Sequence, residues 1–257
     1  MTQDSRFRHE LNAFLGAVRF FTRIPVSERI PHSDALLNHA SRYFPAVGLL
    51  VGFVSAVSFL VASLALPPSV SILIAMVTSI YLTGAFHEDG LTDMTDGLGG
   101  GWEKMRILEI MKDSRVGSYG VIAICMTLLI KFICLSEFDP AWIPAILIAG
   151  HAFSRYCSVL IMAGMSYVRE DALSKSKPLA TTLSSSSLLI ASAFGIGALT
   201  LLPWPSALAG AATGFAITTW LARKLQKWLG GYTGDCLGAA QQLSEVAFYV
   251  GALAALH

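Results

Sequence analysis

The chain has 257 residues, of which 54% are hydrophobic and 14% are charged, and its mean hydropathy is +0.61. Soluble domains typically carry about 25% charged residues, so this composition excludes an ordinary cytosolic globular domain and a disordered chain. A formal net charge of +1 argues against a nucleic-acid-binding protein, which would show a clustered basic excess. The composition therefore predicts an all-α, polytopic transmembrane helical bundle that forms a single domain over residues 1–257.

The N-terminal region, residues 1–42, is basic and precedes the first long apolar stretch. It lacks the apolar core and the small-residue cleavage site of a signal peptide. Within it, residues 11–21 are apolar and lie close to Arg19 and Arg23, which is typical of an interfacial or partly inserted helix. We therefore expect an interfacial segment at the cytoplasmic side of the membrane.

Seven apolar stretches follow this region. A helix needs about 20 mostly apolar residues to cross the hydrocarbon core of a bilayer. The candidate spans cover residues 43–66, 70–86, 119–135, 142–165, 185–202, 204–221 and 236–256. The last stretch contains Gln241, Gln242 and Glu245 in its first half, so a bundle of six spans is the alternative.

The positive charges support one orientation of these spans. Of the 18 lysines and arginines, 16 fall in segments on the same side of the arrangement, and cytoplasmic loops collect such residues. The N-terminus is therefore predicted to be cytoplasmic. Of the two basic residues inside spans, Lys131 is expected to extend its amine outward to water. Arg155 follows His151 by four residues near mid-span, where a charge requires a partner or a water-filled cavity.

An acidic segment follows the second predicted span. Glu88, Asp89, Asp93 and Asp96 occur within nine residues, with no lysine or arginine among them. If the second helix continues past the membrane surface, the three aspartates share one of its faces. Like charges spaced in this way repel each other and weaken a helix unless a cation lies between them. Magnesium ions take carboxylate oxygens together with the phosphates of a substrate.

A solvated acidic helix end is the simpler interpretation of this segment, because charged runs usually face water. However, the acids directly follow a span and precede a glycine-rich stretch that includes Gly99 and Gly100. Glycines allow the backbone to approach a ligand closely. We therefore interpret residues 87–118 as a cytoplasmic acidic catalytic loop that binds metal or phosphate.

Two further groups of residues are candidates for the same site. Asp113 could complete a metal shell, while Lys112 and Arg115 could neutralise phosphate oxygens or serve only as positive-inside anchors. Asp235 is surrounded by glycines at residues 230–238, which favours a ligand-binding loop over a linker. Glu245 is either a buried functional group or an interfacial one, depending on where the last helix begins.

The sequence lacks the G-x-x-x-x-G-K-[ST], H-E-x-x-H and G-x-S-x-G motifs. The sequence therefore shows none of the usual signatures of nucleoside-triphosphate hydrolysis, zinc proteolysis or serine hydrolysis. The remaining interpretation is magnesium-assisted phosphoryl chemistry at a membrane surface that faces the cytoplasm.

Several long motifs, taken in order, resemble those of the cobalamin synthase family, also called adenosylcobinamide-GDP ribazoletransferases. They are HEDGLTDMTDGLGGG at 87–101, EIMKDSRVGSYG at 109–120 and GGYTGDCLGA at 230–239, with FFTRIPV at 20–26 and YFPAVG at 43–48. The resemblance covers the whole chain. It implies a magnesium-dependent, multi-pass enzyme of the inner membrane that joins adenosylcobinamide-GDP to α-ribazole, or to its 5′-phosphate, and releases GMP.

Under this resemblance, each candidate residue has an expected role. His87, Glu88 or Asp89 accepts the proton of the ribazole hydroxyl. Asp89, Asp93, Asp96 and Asp113 hold one or two Mg²⁺ ions. The residues expected to contact the substrates are Lys112, Arg115, Gly99, Gly100, Asp235 and Arg155.

Two other classes of protein are alternatives. The acidic segment is also similar to the Asp-x-x-Asp-Gly motif of CDP-alcohol phosphotransferases, but that motif continues with Ala-Arg, whereas Leu98 and Gly99 follow Gly97 here. An ion-coupled transporter would need acids near the bilayer midplane and broken spans. Beyond its substrates and the lipid bilayer, the protein could associate as a homo-oligomer or with other enzymes of corrinoid assembly.

Overall fold

The computed structural model describes residues 3–28, 30, 34–168 and 183–256. Within these ranges the chain is helical without a β-strand, apart from one isolated parallel bridge between Tyr167 and Tyr232, which confirms the all-α prediction. Short 3₁₀ turns cover Ser41–Tyr43 and Ala198–Leu201. The helices are α1 (Gln3–Phe21), α2 (Asp34–Ala40), α3 (Phe44–Ser63), α4 (Pro68–Thr83), α5 (Phe86–Gly100), α6 (Lys104–Met111), α7 (Ser118–Glu137), α8 (Ile143–Gly164), α9 (Ser185–Gly197), α10 (Trp204–Trp228) and α11 (Gly234–Ala254).

Three helical stretches in the described ranges are long and apolar enough to cross a membrane: Leu36–Ser63, Ser118–Glu137 and Ile143–Gly164. The pair α4 and α5 qualifies only when taken together, and it is bent by 84°. The structure thus supports a helical membrane protein with three or four candidate spans and does not confirm the predicted count of seven. At 13 residues, α9 is about 20 Å long, shorter than the hydrocarbon core.

Helix α1 docks on the bundle along one face. Its Ala13, Ala17 and Phe21 are buried. The carboxylate of Glu10 accepts a hydrogen bond of 2.9 Å from Arg42 and one of 2.8 Å from the hydroxyl of Tyr43. These contacts tie the N-terminal helix to the beginning of α3.

Small residues allow the central helices to approach each other closely. A Cβ atom on Gly52 of α3 would lie 2.6 Å from the Cα atom of Ile148 on α8. On α10, a Cβ atom on Gly214 would lie 2.5 Å from the ring of Phe153. Both glycines belong to small-x-x-x-small patterns in the sequence, and the structure places both patterns at helix contacts.

The acidic segment differs from its prediction in two ways. Helix α4 does not continue into it, because Gly84 and Ala85 both adopt left-handed backbone conformations, with φ of 66° and 58°, and turn the chain. A left-handed residue at this position ends a helix and satisfies its last carbonyl groups. In addition, residues 87–118 are mostly helical, as α5 and α6, rather than a loop. Burial of α5 between neighbouring helices outweighs the weak helix propensity of its glycines and aspartates.

Candidate functional site

Helix α5 is where the three motif segments meet. It packs against α11 through close backbone contacts at glycines. A Cβ atom on Gly90 would lie 2.9 Å from the carbonyl oxygen of Asp235, and one on Gly238 would lie 3.2 Å from the carbonyl oxygen of His87. The glycine-rich segment before and within α11 therefore lies directly on the acidic helix, where larger side chains would not fit.

The other end of α5 holds the beginning of α7. Asp96 Oδ2 accepts a hydrogen bond of 2.7 Å from the backbone N–H of Gly117, and Oδ1 accepts one of 2.8 Å from Gly120. The first N–H groups of a helix have no partner within that helix, and a negative charge there is favourable. Asp96 thus joins the segment 109–120 to the acidic segment and has both oxygens engaged in doing so.

The loop before α11 is held in place by residues that follow α8. The N–H of Val168 donates a hydrogen bond of 2.8 Å to the carbonyl of Tyr232, whose own N–H donates one of 3.0 Å to Ser166. The Thr233 side chain then accepts a hydrogen bond from the N–H of Cys236 at the first turn of α11. Both α7 and α11 therefore begin beside α5, and the N-termini of helices favour anions such as phosphate.

The three aspartates of α5 share a face, but their surroundings differ along it. Asp89 is exposed, Asp93 is half-buried and Asp96 is buried beneath the beginning of α7. Asp93 lies within the electrostatic field of both other carboxylates, so the face concentrates negative charge at its centre. A cation bound there would relieve this repulsion.

In the part of the chain that the structure describes, no three or more His, Cys, Asp or Glu side chains are arranged as a ready-made metal cage. Magnesium does not require one, because it is usually held by one or two carboxylates together with substrate phosphates and waters. Asp89 and Asp93, one turn apart on the accessible side of α5, fit that requirement.

Asp113 is paired with Arg115 rather than grouped with the acids of α5. Its Oδ2 lies 2.6 Å from Nη2 of Arg115, and its Oδ1 accepts a second hydrogen bond from Nε of the same side chain. Hydrogen bonds from the Arg115 side chain lower the pKa of Asp113 to about 2. Arg115 and the neighbouring Lys112 are exposed, so both remain accessible to a phosphate.

The two glycines predicted to approach a ligand lie beside side chains of the neighbouring helices. A Cβ atom on Gly99 would lie 2.6 Å from the ring of Tyr119, and one on Gly100 would lie 3.3 Å from the side chain of Ile110. A larger residue at 99 would therefore collide with the Tyr119 ring of α7, whereas one at 100 would require only a small shift of Ile110 on α6.

Two of the three candidate proton acceptors, His87 and Glu88, lie on α5 away from the accessible side of Asp89 and Asp93 and are buried in the core. His87 is 3% exposed and its ring stacks on Phe21, with the centroids 5.5 Å apart. Glu88 is 8% exposed, and its Oε1 accepts a hydrogen bond of 2.8 Å from Gln242. Among the three candidate proton acceptors, only Asp89 is open to solvent.

Behind this buried side of α5 lies a buried polar cluster centred on Glu245. The Glu245 carboxylate forms an ion pair with Lys131, accepts a hydrogen bond of 2.9 Å from the hydroxyl of Tyr249, and lies 3.3 Å from Nδ1 of His151. The prediction that Lys131 extends outward is therefore wrong. The fully buried Glu245 carboxylate is the partner that a buried amine requires.

Arg155 belongs to the same cluster and is 2% exposed. Its guanidinium donates a hydrogen bond of 3.0 Å to the carbonyl of His151. Within the described residues, the Arg155 Nε, Glu88 Oε2 and Gln242 Oε1 atoms are buried without a hydrogen-bond partner. The sequence indicated Gln241, Glu245, His151 and Arg155 by their positions in apolar helices, whereas Tyr249 was missed, although it follows Glu245 by the helical spacing of four.

The apolar helices around an acidic, polar site define a helical membrane protein. A family model described as cobalamin-5-phosphate synthase matches residues 13–253. Two relatives named adenosylcobinamide-GDP ribazoletransferase are each 45% identical to this chain: that of Shewanella frigidimarina over 262 residues, covering 99% of this chain and 98% of the relative, and that of Shewanella amazonensis over 250 residues, covering 96% of each. No solved structure matches. The chain belongs to the cobalamin-5-phosphate synthase family, and it is a transferase.

Proposed function

We propose that this chain joins adenosylcobinamide-GDP to α-ribazole, or to its 5′-phosphate, and releases GMP together with adenosylcobalamin or its 5′-phosphate. The names of its relatives supply the reaction. The observation that carries the proposal is the convergence of three separate motif segments on α5, through the contacts of Gly90 with Asp235 and of Asp96 with Gly117 and Gly120.

Asp89 and Asp93 would hold Mg²⁺, with Asp96 contributing charge from the next turn while it binds the N-terminus of α7. Bound magnesium would neutralise negative charge on the diphosphate and on the departing GMP. The N-termini of α7 and α11, both adjacent to α5, would add favourable interactions with phosphate oxygens. The carboxylates of α5 would bind the metal ion, and the two helix N-termini would bind phosphate oxygens. Together they suit a diphosphate that binds as its magnesium complex.

In the reaction, the ribazole hydroxyl oxygen forms a bond to the phosphorus on the cobinamide side of the diphosphate. The bond from that phosphorus to the bridging oxygen breaks, and GMP leaves with the bridging oxygen. The hydroxyl proton passes to a carboxylate, for which Asp89 is better placed than the buried His87 and Glu88, because the substrate reaches it from solvent.

The exposed residues around α5 would complete substrate binding. Arg115 would exchange Asp113 for a phosphate oxygen, with Lys112 beside it, since arginine binds phosphate in a bidentate manner. Asp235, at the first turn of α11 and next to Gly90, would contact the substrate from the other side. The site would face the cytoplasm from the inner membrane, and the lysines and arginines that the sequence concentrates on one side of its apolar stretches support this orientation.

The test is to supply the purified chain in lipid nanodiscs with Mg²⁺, α-ribazole and either adenosylcobinamide-GDP or a CDP-linked alcohol. We expect GMP from the first donor, no CMP from the second, and no GMP when EDTA replaces Mg²⁺. Release of CMP alone would instead support the CDP-alcohol phosphotransferase alternative. Passage of a substrate across proteoliposomes without nucleotide release would support the transporter alternative.

A further inference from the structure

One face of α11 lies along α5 over two helical turns. Asp235, Gly238 and Gln242 are spaced by three and four residues and therefore share this face. The backbone of Asp235 lies against Gly90, where a Cβ atom would approach to 2.9 Å, and Gly238 lies against the backbone of His87, where a Cβ atom would approach to 3.2 Å. The third reaches α5 through its side chain, at Glu88.

The contact between Gln242 and Glu88 is a buried hydrogen bond between two helices. Gln242 Nε2 donates to Glu88 Oε1 over 2.8 Å, and the two residues are 2% and 8% exposed. The same amide group also donates a hydrogen bond of 2.8 Å to Gln241 Oε1, which holds its orientation. A buried polar group costs stability unless it is paired. Loss of Glu88 removes one of the two acceptors of the Gln242 amide, and loss of Gln242 removes the amide donor to Glu88 Oε1.

This hydrogen bond and the contacts of Asp96 fix α5 at two points. Glu88 is joined to α11 near the beginning of the helix, and Asp96 is joined to α7 two turns later, about 12 Å along the helix axis. Two such points prevent rotation of α5 about its own axis. They thereby determine the direction in which Asp89 and Asp93 project.

The surroundings of Glu88 suit a structural carboxyl group rather than a reactive one. It is buried, whereas Asp89 beside it is exposed. Lys131 and Arg155 are cations whose charges act on the Glu88 carboxylate. Both belong to the buried polar cluster and not to the accessible face of α5. A substrate hydroxyl that approaches the accessible face of α5 therefore meets Asp89 and not Glu88.

We propose that Glu88 and Gln242 are positioning residues, whose hydrogen bond orients the acidic face of α5 for the metal-bound diphosphate. This inference rests on the proposed function for its kinetic consequence. A positioning role needs an acceptor oxygen at residue 88, whereas proton transfer or metal binding needs a carboxylate.

The experiment compares Glu88→Gln, Glu88→Leu, Gln242→Leu and the Glu88→Leu/Gln242→Leu double variant in nanodiscs. Gln at 88 keeps the acceptor oxygen, so we expect GMP release within about threefold of the original protein. Each Leu variant should raise the Mg²⁺ concentration for half-maximal activity at least tenfold, and the double variant should be no worse than the more impaired single one. A loss above 100-fold in Glu88→Gln would overturn the proposal, since it would assign the carboxylate to catalysis or metal binding.

Ser158→Ala is the matched control. It removes a hydrogen bond of 2.9 Å between α8 and the Leu237 carbonyl of α11 without touching α5, so activity and magnesium dependence should stay within twofold. Hydrogen exchange of α5 amides provides a readout independent of turnover. Faster exchange in both Leu variants, but not in Glu88→Gln or Ser158→Ala, supports positioning, and unchanged exchange overturns it. If the original protein releases no GMP, the proposed function fails while the exchange pattern still decides this inference.

Discussion

Oδ1 of Asp96 accepts a hydrogen bond of 2.8 Å from the backbone N–H of Gly120, the third residue of α7. Asp96, which the sequence analysis predicts as a metal ligand, therefore also caps the N-terminus of α7. The acidic face of α5 is consequently part of the packing of the bundle, and its charges act on stability as well as on chemistry.

Substitution of Asp96 by Asn should destabilise the fold. Asn presents only one acceptor oxygen, so one of the two N–H groups of Gly117 and Gly120 loses its partner. We expect a loss of about 1–3 kcal/mol in the free energy of unfolding, measured by denaturation in mixed micelles. The exposed Asp89→Asn change is the control and should stay within about 0.5 kcal/mol. An inactive Asp96→Asn protein of undiminished stability would show that Asp96 serves the metal instead of α7.

Ala85 adopts a left-handed conformation, with φ of 58°, at the turn between α4 and α5. This conformation costs an L-residue about 1–2 kcal/mol, whereas glycine adopts it freely. Ala85→Gly should therefore stabilise the protein by about 0.5–1 kcal/mol after the entropy of the unfolded chain is included. Ala85→Val should destabilise it in the same unfolding measurement. A destabilising Ala85→Gly change would contradict this account of the bend.

The ion pair of Lys131 with Glu245 is buried, so its two members should be strongly coupled. Lys131→Met leaves a buried carboxylate without its main cation and should cost about 3–5 kcal/mol. The double variant Lys131→Met/Glu245→Gln should recover much of that loss, because no uncompensated charge remains. Additive losses in the unfolding free energies of the double-variant cycle would refute the coupling.

Asp113 should not shape the pH dependence of activity. Its pKa lies at about 2, lowered by hydrogen bonds from Arg115, so it is ionised throughout an assay from pH 5 to pH 9. Any stability that the ion pair of Asp113 with Arg115 contributes is fully present above the ordinary pKa of an aspartate, near 4. It is lost only as the pH falls towards 2. Profiles of GMP release against pH for the original protein and for Asp113→Asn should have the same shape. Disappearance of the acidic limb in the variant would show that Asp113 titrates during turnover.

Features that depend on local spacing could be predicted from the sequence. The helical class follows from long apolar runs, and the close contacts at Gly52 and Gly214 follow from small residues four apart. The shared face of Asp89, Asp93 and Asp96 follows from helical periodicity alone. The segments around Asp113 and Asp235 are predicted to belong to the same site as the acidic segment. The contacts of α5 bring both segments to it.

Three other features could not be predicted from the sequence. The inward burial of Lys131 requires Glu245, which is more than one hundred residues away. The sequence offers Asp113 either Arg115 or a metal ion as a partner, and spacing alone does not predict the pair with Arg115 that the structure shows. The break at Gly84 and Ala85 lies within a continuous apolar pattern, where nothing marks a left-handed alanine. A tertiary contact decides the first case, and local conformation decides the other two.

The central claim is that the accessible carboxylates of α5 support magnesium-dependent release of GMP, and Asp93 lies at their centre. The most direct measurement is Mg²⁺-dependent GMP formation from adenosylcobinamide-GDP and α-ribazole by Asp93→Asn. Its control is Glu109→Gln, which removes an exposed charge paired with Arg106 on α6. We predict that Asp93→Asn inserts into membranes normally but releases no GMP, while Glu109→Gln remains active. Near-normal GMP release by Asp93→Asn would contradict the claim.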